Sequence, residues 1–168
     1  SDLRIAGETY DLTGNAQIDA QDGAIDITTD LAAAARDLSV FSGIAGRSLG
    51  GAITADVAGT LSPIAGTLNV ALAGETQNIT VNQPEADRLL AGTATLEATI
   101  RRTTAGTFLD ALRIDGDAAQ IRASAQLAGD DSRATADLTL IDTGVIAEDL
   151  EGPAQLNVTA AQTGPIWD

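Results

Sequence analysis

The side chains of this 168-residue chain that could do chemistry are its carboxylates. His and Cys are absent, which excludes a Ser-His dyad, a Cys-His pair, any His or Cys metal site, a disulfide and a thiolate nucleophile. Three acidic groups have the closeness that Ca²⁺ ligation or acid-base work would need: Asp115 with Asp117, Asp130 with Asp131, and Glu148, Asp149 and Glu151. Each falls between apolar rows, where acidic side chains accept backbone N–H bonds in turns. None has the Asp-x-Asp-x-Asp-Gly spacing of a Ca²⁺ loop. The glycine-rich GIAGRSLGG, residues 43 to 51, lacks the Lys of a phosphate-binding loop and the GxGxxG of a dinucleotide site, so its glycines read as turns that open a strand. Asn78-Ile79-Thr80 and Asn157-Val158-Thr159 fit an N-glycosylation pattern but sit inside predicted strands, where chance explains them better. No catalytic constellation, metal or cofactor is expected, and the chain does not read as an enzyme.

The elements that would position any site are strands. Ile25 and Ile27; Ile53, Ala55 and Val57; Leu68, Val70 and Leu72; Ile79 and Val81; Ala94, Leu96, Ala98 and Ile100; Leu112 and Ile114; Ala119 to Leu127; Ala134 to Leu140; and Ala154, Leu156 and Val158 form one-sided rows of period two. Thr, Asn, Gln, Asp, Glu or Arg stand between them, as Thr95, Glu97 and Thr99 do beside Leu96 and Ala98. Such rows predict an antiparallel sheet with one apolar and one wet face. Short breaks at 21–23, 74–75, 115–117 and 129–131 have turn composition and predict up-and-down hairpins.

Two segments depart from this period. Residues 30–46, DLAAAARDLSVFSGIAG, combine an Asp cap, an Ala run and apolar residues Leu31, Ala35, Leu38 and Phe41 at helical spacing. Residues 82–92, NQPEADRLLAG, offer a Pro, an acidic first turn and a closing Gly92. Both predict short helices that close an opening of the sheet or pack on its end. There is also an internal echo: DLSVFS at 37–42 returns as DLTLID at 137–142, and the apolar pattern of 43–57 returns at 144–158. It predicts a repeat unit over 37–136 and a next unit beginning at 137–168 within one section of a longer repetitive protein. The opening SDLRIAG and closing GPIWD are likewise expected to be cut ends of a longer chain.

Composition limits what such a sheet can meet. The formal charge is −15 and every basic residue is Arg, so phosphate-rich partners are repelled and nucleic acid is not expected. Contact with lipid would then be through tails. The hydrophobic fraction of 44% is largely Ala, and the only aromatic residues are Tyr10, Phe41, Phe108 and Trp167, which predicts an extended apolar surface and a thin core. The longest apolar run is far below the roughly 18 residues of a membrane span. From the residues alone, the apolar rows are equally compatible with a packed β-sandwich core, as in an adhesin or stalk repeat, and with a ligand groove. A third possibility is an open sheet edge that captures an extended strand.

Two segments carry a resemblance. DLSVFSGIAGRSLGGAITADVAGTL, residues 37–61, and ITVNQPEADRLLAGTATLEATI, residues 79–100, resemble the TamB family of proteobacteria, related to AsmA-like and bridge-like lipid-transfer proteins. The resemblance implies an all-β fold with short helical segments: an elongated, bent antiparallel sheet, or β-taco, with an apolar concave face. It implies a periplasmic section of an inner-membrane-anchored protein that moves phospholipid between the membranes and supports outer-membrane protein assembly. The implied partners are phospholipid acyl chains, neighbouring repeats of the same chain, and a TamA-like outer-membrane barrel reached through other parts of the protein. On that reading Leu68, Val70, Leu72, Ile79, Val81, Leu96, Ile100, Ile121, Leu138 and Leu140 line the lipid groove.

Overall fold

Each apolar row forms a strand because it meets an apolar row on both neighbours. In the register, Leu31 faces Val57, Val57 faces Leu72, Leu72 faces Ala98, Ala98 faces Leu112, and Leu112 faces Ala123. The computed structural model describes residues 2–21, 23–129, 131–145, 149–163 and 166–167. Its strands are β1 (Asp2–Ala6), β2 (Tyr10–Gln21), β3 (Ala24–Ala35), β4 (Gly50–Ser62), β5 (Thr67–Thr80), β6 (Thr93–Thr103), β7 (Gly106–Gly116), β8 (Ala119–Leu127), β9 (Asp131–Leu140), β10 (Ala154–Thr163) and β11 (Ile166–Trp167). They form one 11-stranded antiparallel sheet in chain order, the expected up-and-down meander. At ~4.8 Å between strands the sheet is about 48 Å wide.

Two bulges keep the apolar face continuous where the sequence changes phase. Leu68, Val70 and Leu72 occupy even positions while Ile79 is odd, so a regular strand would put them on opposite faces. The β4–β5 register slips between Gly50 and Ala52, opposite Asn78, whose φ is 49°. After this irregularity Ile79 is half-buried between exposed Asn78 and Thr80. In β7, Leu109 is odd while Leu112 and Ile114 are even. Ile100 faces Leu109 and Thr99 faces Ala111, so Asp110 is the extra residue, and both Leu109 and Leu112 stay in apolar rows.

Two sequence expectations are corrected. The Ala run of 30–46 is not helical, since Asp30 to Ala35 belong to β3 and pair on both sides, with β2 and with β4. Ladder hydrogen bonds on two sides, plus the period of Leu31, Ala33 and Ala35, override the helix propensity of alanine. Helical structure starts later, as a 3-10 turn at Leu38–Phe41 running into one α-turn, α1 (Ser42–Ala45). Its cap is Asp37, whose carboxylate accepts the Ser39 N–H at 2.9 Å. Hydrogen bonding by the Ser39 hydroxyl and amide holds the Asp37 pKa below its ordinary value. The second correction is at 74–75, which is no turn but the interior of β5, where Gly74 faces Ala55 and Leu96. A Cβ there would lie 2.3 Å from the Thr54 carbonyl oxygen, so glycine marks a close approach of neighbouring backbone. The second predicted helix is present as α2 (Pro84–Leu89), with Pro84 in its first turn.

The long connections, 36–49, 81–92 and 141–153, all lie at one end of the strands, and α1, α2 and a 3-10 turn at Thr143–Val145 are on them. At this end the Tyr10 and Phe41 rings meet at 5.9 Å, and Ala35, Ala119 and Leu140 are buried. Asp142 binds the N–H groups of Gly144 and Gly152, while the Thr143 N–H and hydroxyl both donate to the Gly152 carbonyl, closing the third connection on itself. The opposite end has tight turns only. Ile18 (68% exposed), Leu61 and Leu127 are left uncovered along it.

No second layer covers the sheet among the described residues: no large side chain is fully buried, and the only buried hydrophobic residues are Ala35, Ala119 and Leu140. The accessible surface is 10655 Å², against about 7,700 Å² for a compact monomer of this mass. That excess is the two faces of a single layer. The two faces differ in how far they shield small residues: Ala98, Ala123 and Ala125 on the apolar face are half-buried, Ala98 between Leu72 and Leu112, whereas Ala71, Ala73 and Ala111 on the wet face are exposed.

Candidate functional site

The candidate site is the apolar face, built by register. Leu68, Val70 and Leu72 on β5 stand beside Arg102, Ile100 and Ala98 of β6, and Leu96 lies one row further toward the helical end, beside Ile114. Ile121 faces Ile114 on one side and Leu138 on the other. Leu68, Val70, Leu72, Leu96, Ile121 and Leu138 are therefore on one face, each half-buried, and Ile100 is more open at 41%. Ile79 joins the shielded side through the bulge. Val81 lies just past β5, and its N–H donates to the Asp87 carboxylate at 2.6 Å, which ties α2 to the strand end. Leu140 differs from the others: it is buried with Ala119 in the helical end and does not line the open face.

Sequence reasoning missed several members of this face. Leu31 and Ala33 were assigned to a helix, and Leu109 is out of phase with its own strand. The signal for Leu31 and Ala33 was present in their spacing of two; that for Leu109 was not, because only a bulge brings it into line. Leu12, Val57, Leu112, Leu156 and Val158 complete the rows.

The wet face holds all the carboxylates of β1–β10, and three of its Arg residues, Arg101, Arg113 and Arg122, are paired with them. Arg101 forks onto Asp110, Nε to Oδ2 at 3.0 Å and Nη2 to Oδ1 at 2.9 Å, with its guanidinium 4.4 Å above the Phe108 ring. These bonds lower the Asp110 pKa and raise that of Arg101. Arg113 reaches Glu97 at 3.3 Å and Arg122 reaches Asp115 at 3.5 Å. Small residues, Ala32, Ala58, Ala71, Ala73 and Ala111, leave a depression of 820 Å³ between these charged rows. The alternation of period two did not foresee it.

Of the acidic groups that might have carried chemistry, the Asp115 and Asp117 pair serves an Arg side chain and the backbone. Asp115 binds Arg122, and Asp117 accepts the Thr93 N–H at 3.0 Å. Asp130 and Glu148 lie outside the described residues. Among the described residues no group of three acidic side chains could hold a metal ion. No helix among them is long and apolar enough to cross a membrane. What this geometry can do chemically is shelter aliphatic material on one face while the other stays hydrated. No family model, curated protein or solved structure matches this chain.

Proposed function

We propose that this chain is a periplasmic section of a TamB-like, envelope-spanning lipid conduit that holds acyl tails along its apolar face and carries out no catalysis. The observation that carries the reading is a continuous aliphatic face with no second protein layer over it among the described residues. Exposed aliphatic area of this extent needs an occupant, and each methylene it shelters is worth about 0.8 kcal/mol. Phospholipid tails fit because they need no polar partner inside, and the face offers few polar groups. In the complete protein, neighbouring repeats would extend the sheet at its edges, and a TamA-like outer-membrane barrel would be engaged through other segments. The packed stalk repeat is less favoured, since it needs a covering sheet.

A second reading keeps the sheet and changes the occupant. Beyond Gln162 and Thr163, which pair with β11, the outer edge of β10 from Ala154 to Ala161 has no strand against it among the described residues, and that stretch contains no charge or proline. Such an edge accepts an added extended strand. One experiment separates the two: native mass spectrometry of the protein purified from a bacterial envelope, parent against Val70→Asp. A phospholipid mass retained by the parent and lost from a folded Val70→Asp supports the conduit. Bare parent protein, with Val70→Asp unfolded by circular dichroism, would refute it. Retention of an extended peptide by both forms, without lipid, favours strand capture.

A further inference from the structure

One residue breaks the charge separation of the two faces. Every Asp and Glu of β1–β10 falls on the wet face, as do Arg4, Arg101, Arg113, Arg122 and Arg133. Arg102 does not. It lies in phase with Leu96, Ala98 and Ile100, directly between Leu68 of β5 and Thr107 of β7. Among the described residues it is the one charged side chain of the β1–β10 apolar rows. No carboxylate reaches it, whereas Arg101, Arg113 and Arg122 each have one. It is exposed, and it stands at the lip formed by the tight turns, near exposed Leu61 and Leu127.

A lone cation at the rim of an aliphatic face, in a chain of net charge −15, has no partner of its own and a clear one in an amphiphile. Its methylene stem can lie along the aliphatic rim while the guanidinium stays in water, where it can fork onto two oxygens of a phosphate. We infer that Arg102 anchors the phosphate headgroup of a phospholipid whose tail runs inward from the lip over Leu68, Val70, Ile100 and Leu72. The inference rests on the acyl-tail reading and adds a fixed headgroup position to it. It also revises the expectation that lipid contact is made through tails alone: the whole-chain field repels phosphate, but on this face the local charge is positive.

The test uses three probes below their micellar concentrations: oleoyl lysophosphatidic acid, mono-oleoylglycerol with the same tail and no phosphate, and glycerol 3-phosphate with no tail. Affinities are measured by titration calorimetry for the parent, Arg102→Gln and Arg113→Gln. Arg113→Gln makes the same change in net charge on the wet face. The expected result is a parent that prefers the lysophosphatidic acid by about tenfold or more over mono-oleoylglycerol. Arg102→Gln should lose that preference while binding mono-oleoylglycerol unchanged, and Arg113→Gln should keep it. The inference is overturned if the parent shows no preference, if the two variants lose it equally, or if glycerol 3-phosphate binds as tightly as the lipid. If neither lipid binds any form, the acyl-tail reading falls too.

Discussion

Ile100→Ala measures directly whether the apolar face is open. Ile100 lies on the central strand β6 between Val70 and Leu109, with 41% of its surface exposed. The substitution removes three carbons, each worth about 0.8 kcal/mol when fully buried. With roughly six-tenths of the residue shielded, the loss is about 1.4 kcal/mol, and replacing a β-branched residue in a strand adds up to a few tenths. No cavity forms, because the vacated space joins solvent, so the extra cost seen in packed cores does not arise. An isoleucine under a second layer would instead lose about 2–5 kcal/mol on the same change. Urea unfolding of both proteins without lipid, followed by circular dichroism at unchanged m-value, gives the difference. A loss above about 3 kcal/mol would refute the single-layer reasoning. The same pair measured with bound lipid should show a larger gap, since the tail completes the burial.

Gly74→Ala should destabilise the protein in the same urea assay. At an unstrained site this change usually adds about 0.4–1 kcal/mol by stiffening the unfolded chain, but here the new methyl meets the Thr54 carbonyl. A gain in stability would show that β4 and β5 do not approach as closely as described. Asp110→Asn tests the Arg101 fork through pH. The folded Asp110 pKa is depressed by hydrogen bonds from Arg101, so its contribution is present above the unfolded value of about 4 and disappears as pH falls through the folded value. Parent and variant should therefore differ in unfolding midpoint at pH 7 and converge in stronger acid. Because the pair is exposed, the difference should be small; a gap that persists or widens in acid would contradict the pairing.

Much of the fold was legible because period two in a chain has one simple consequence, alternate faces of a strand. Leu68, Val70, Leu72, Leu96, Ile121 and Leu138 share a face as their spacing predicts. The misreadings have definite physical causes. Alanine at 32–35 prefers helix in isolation, yet pairing with both β2 and β4 decides otherwise. Gly74 with Glu75 has turn composition but fills a point of close backbone approach. Leu140 alternates correctly with Leu138, yet burial depends on the helical connections that gather above that end, and their packing is not written in local spacing.

The sequence by itself determined an antiparallel sheet with one aliphatic and one charged face, and it ruled out His and Cys chemistry, because residue type and alternation act locally. Only the tertiary structure decided that the sheet is one open layer, that helical connections gather at one end, and that bulges at Asn78 and Asp110 keep the rows in phase. It also decided that Arg102, one position from the ion-paired Arg101, stands unpaired on the opposite face. These depend on which strands become neighbours and on what, if anything, lies across from them. Register is a relation between distant segments, and no single stretch of chain contains it.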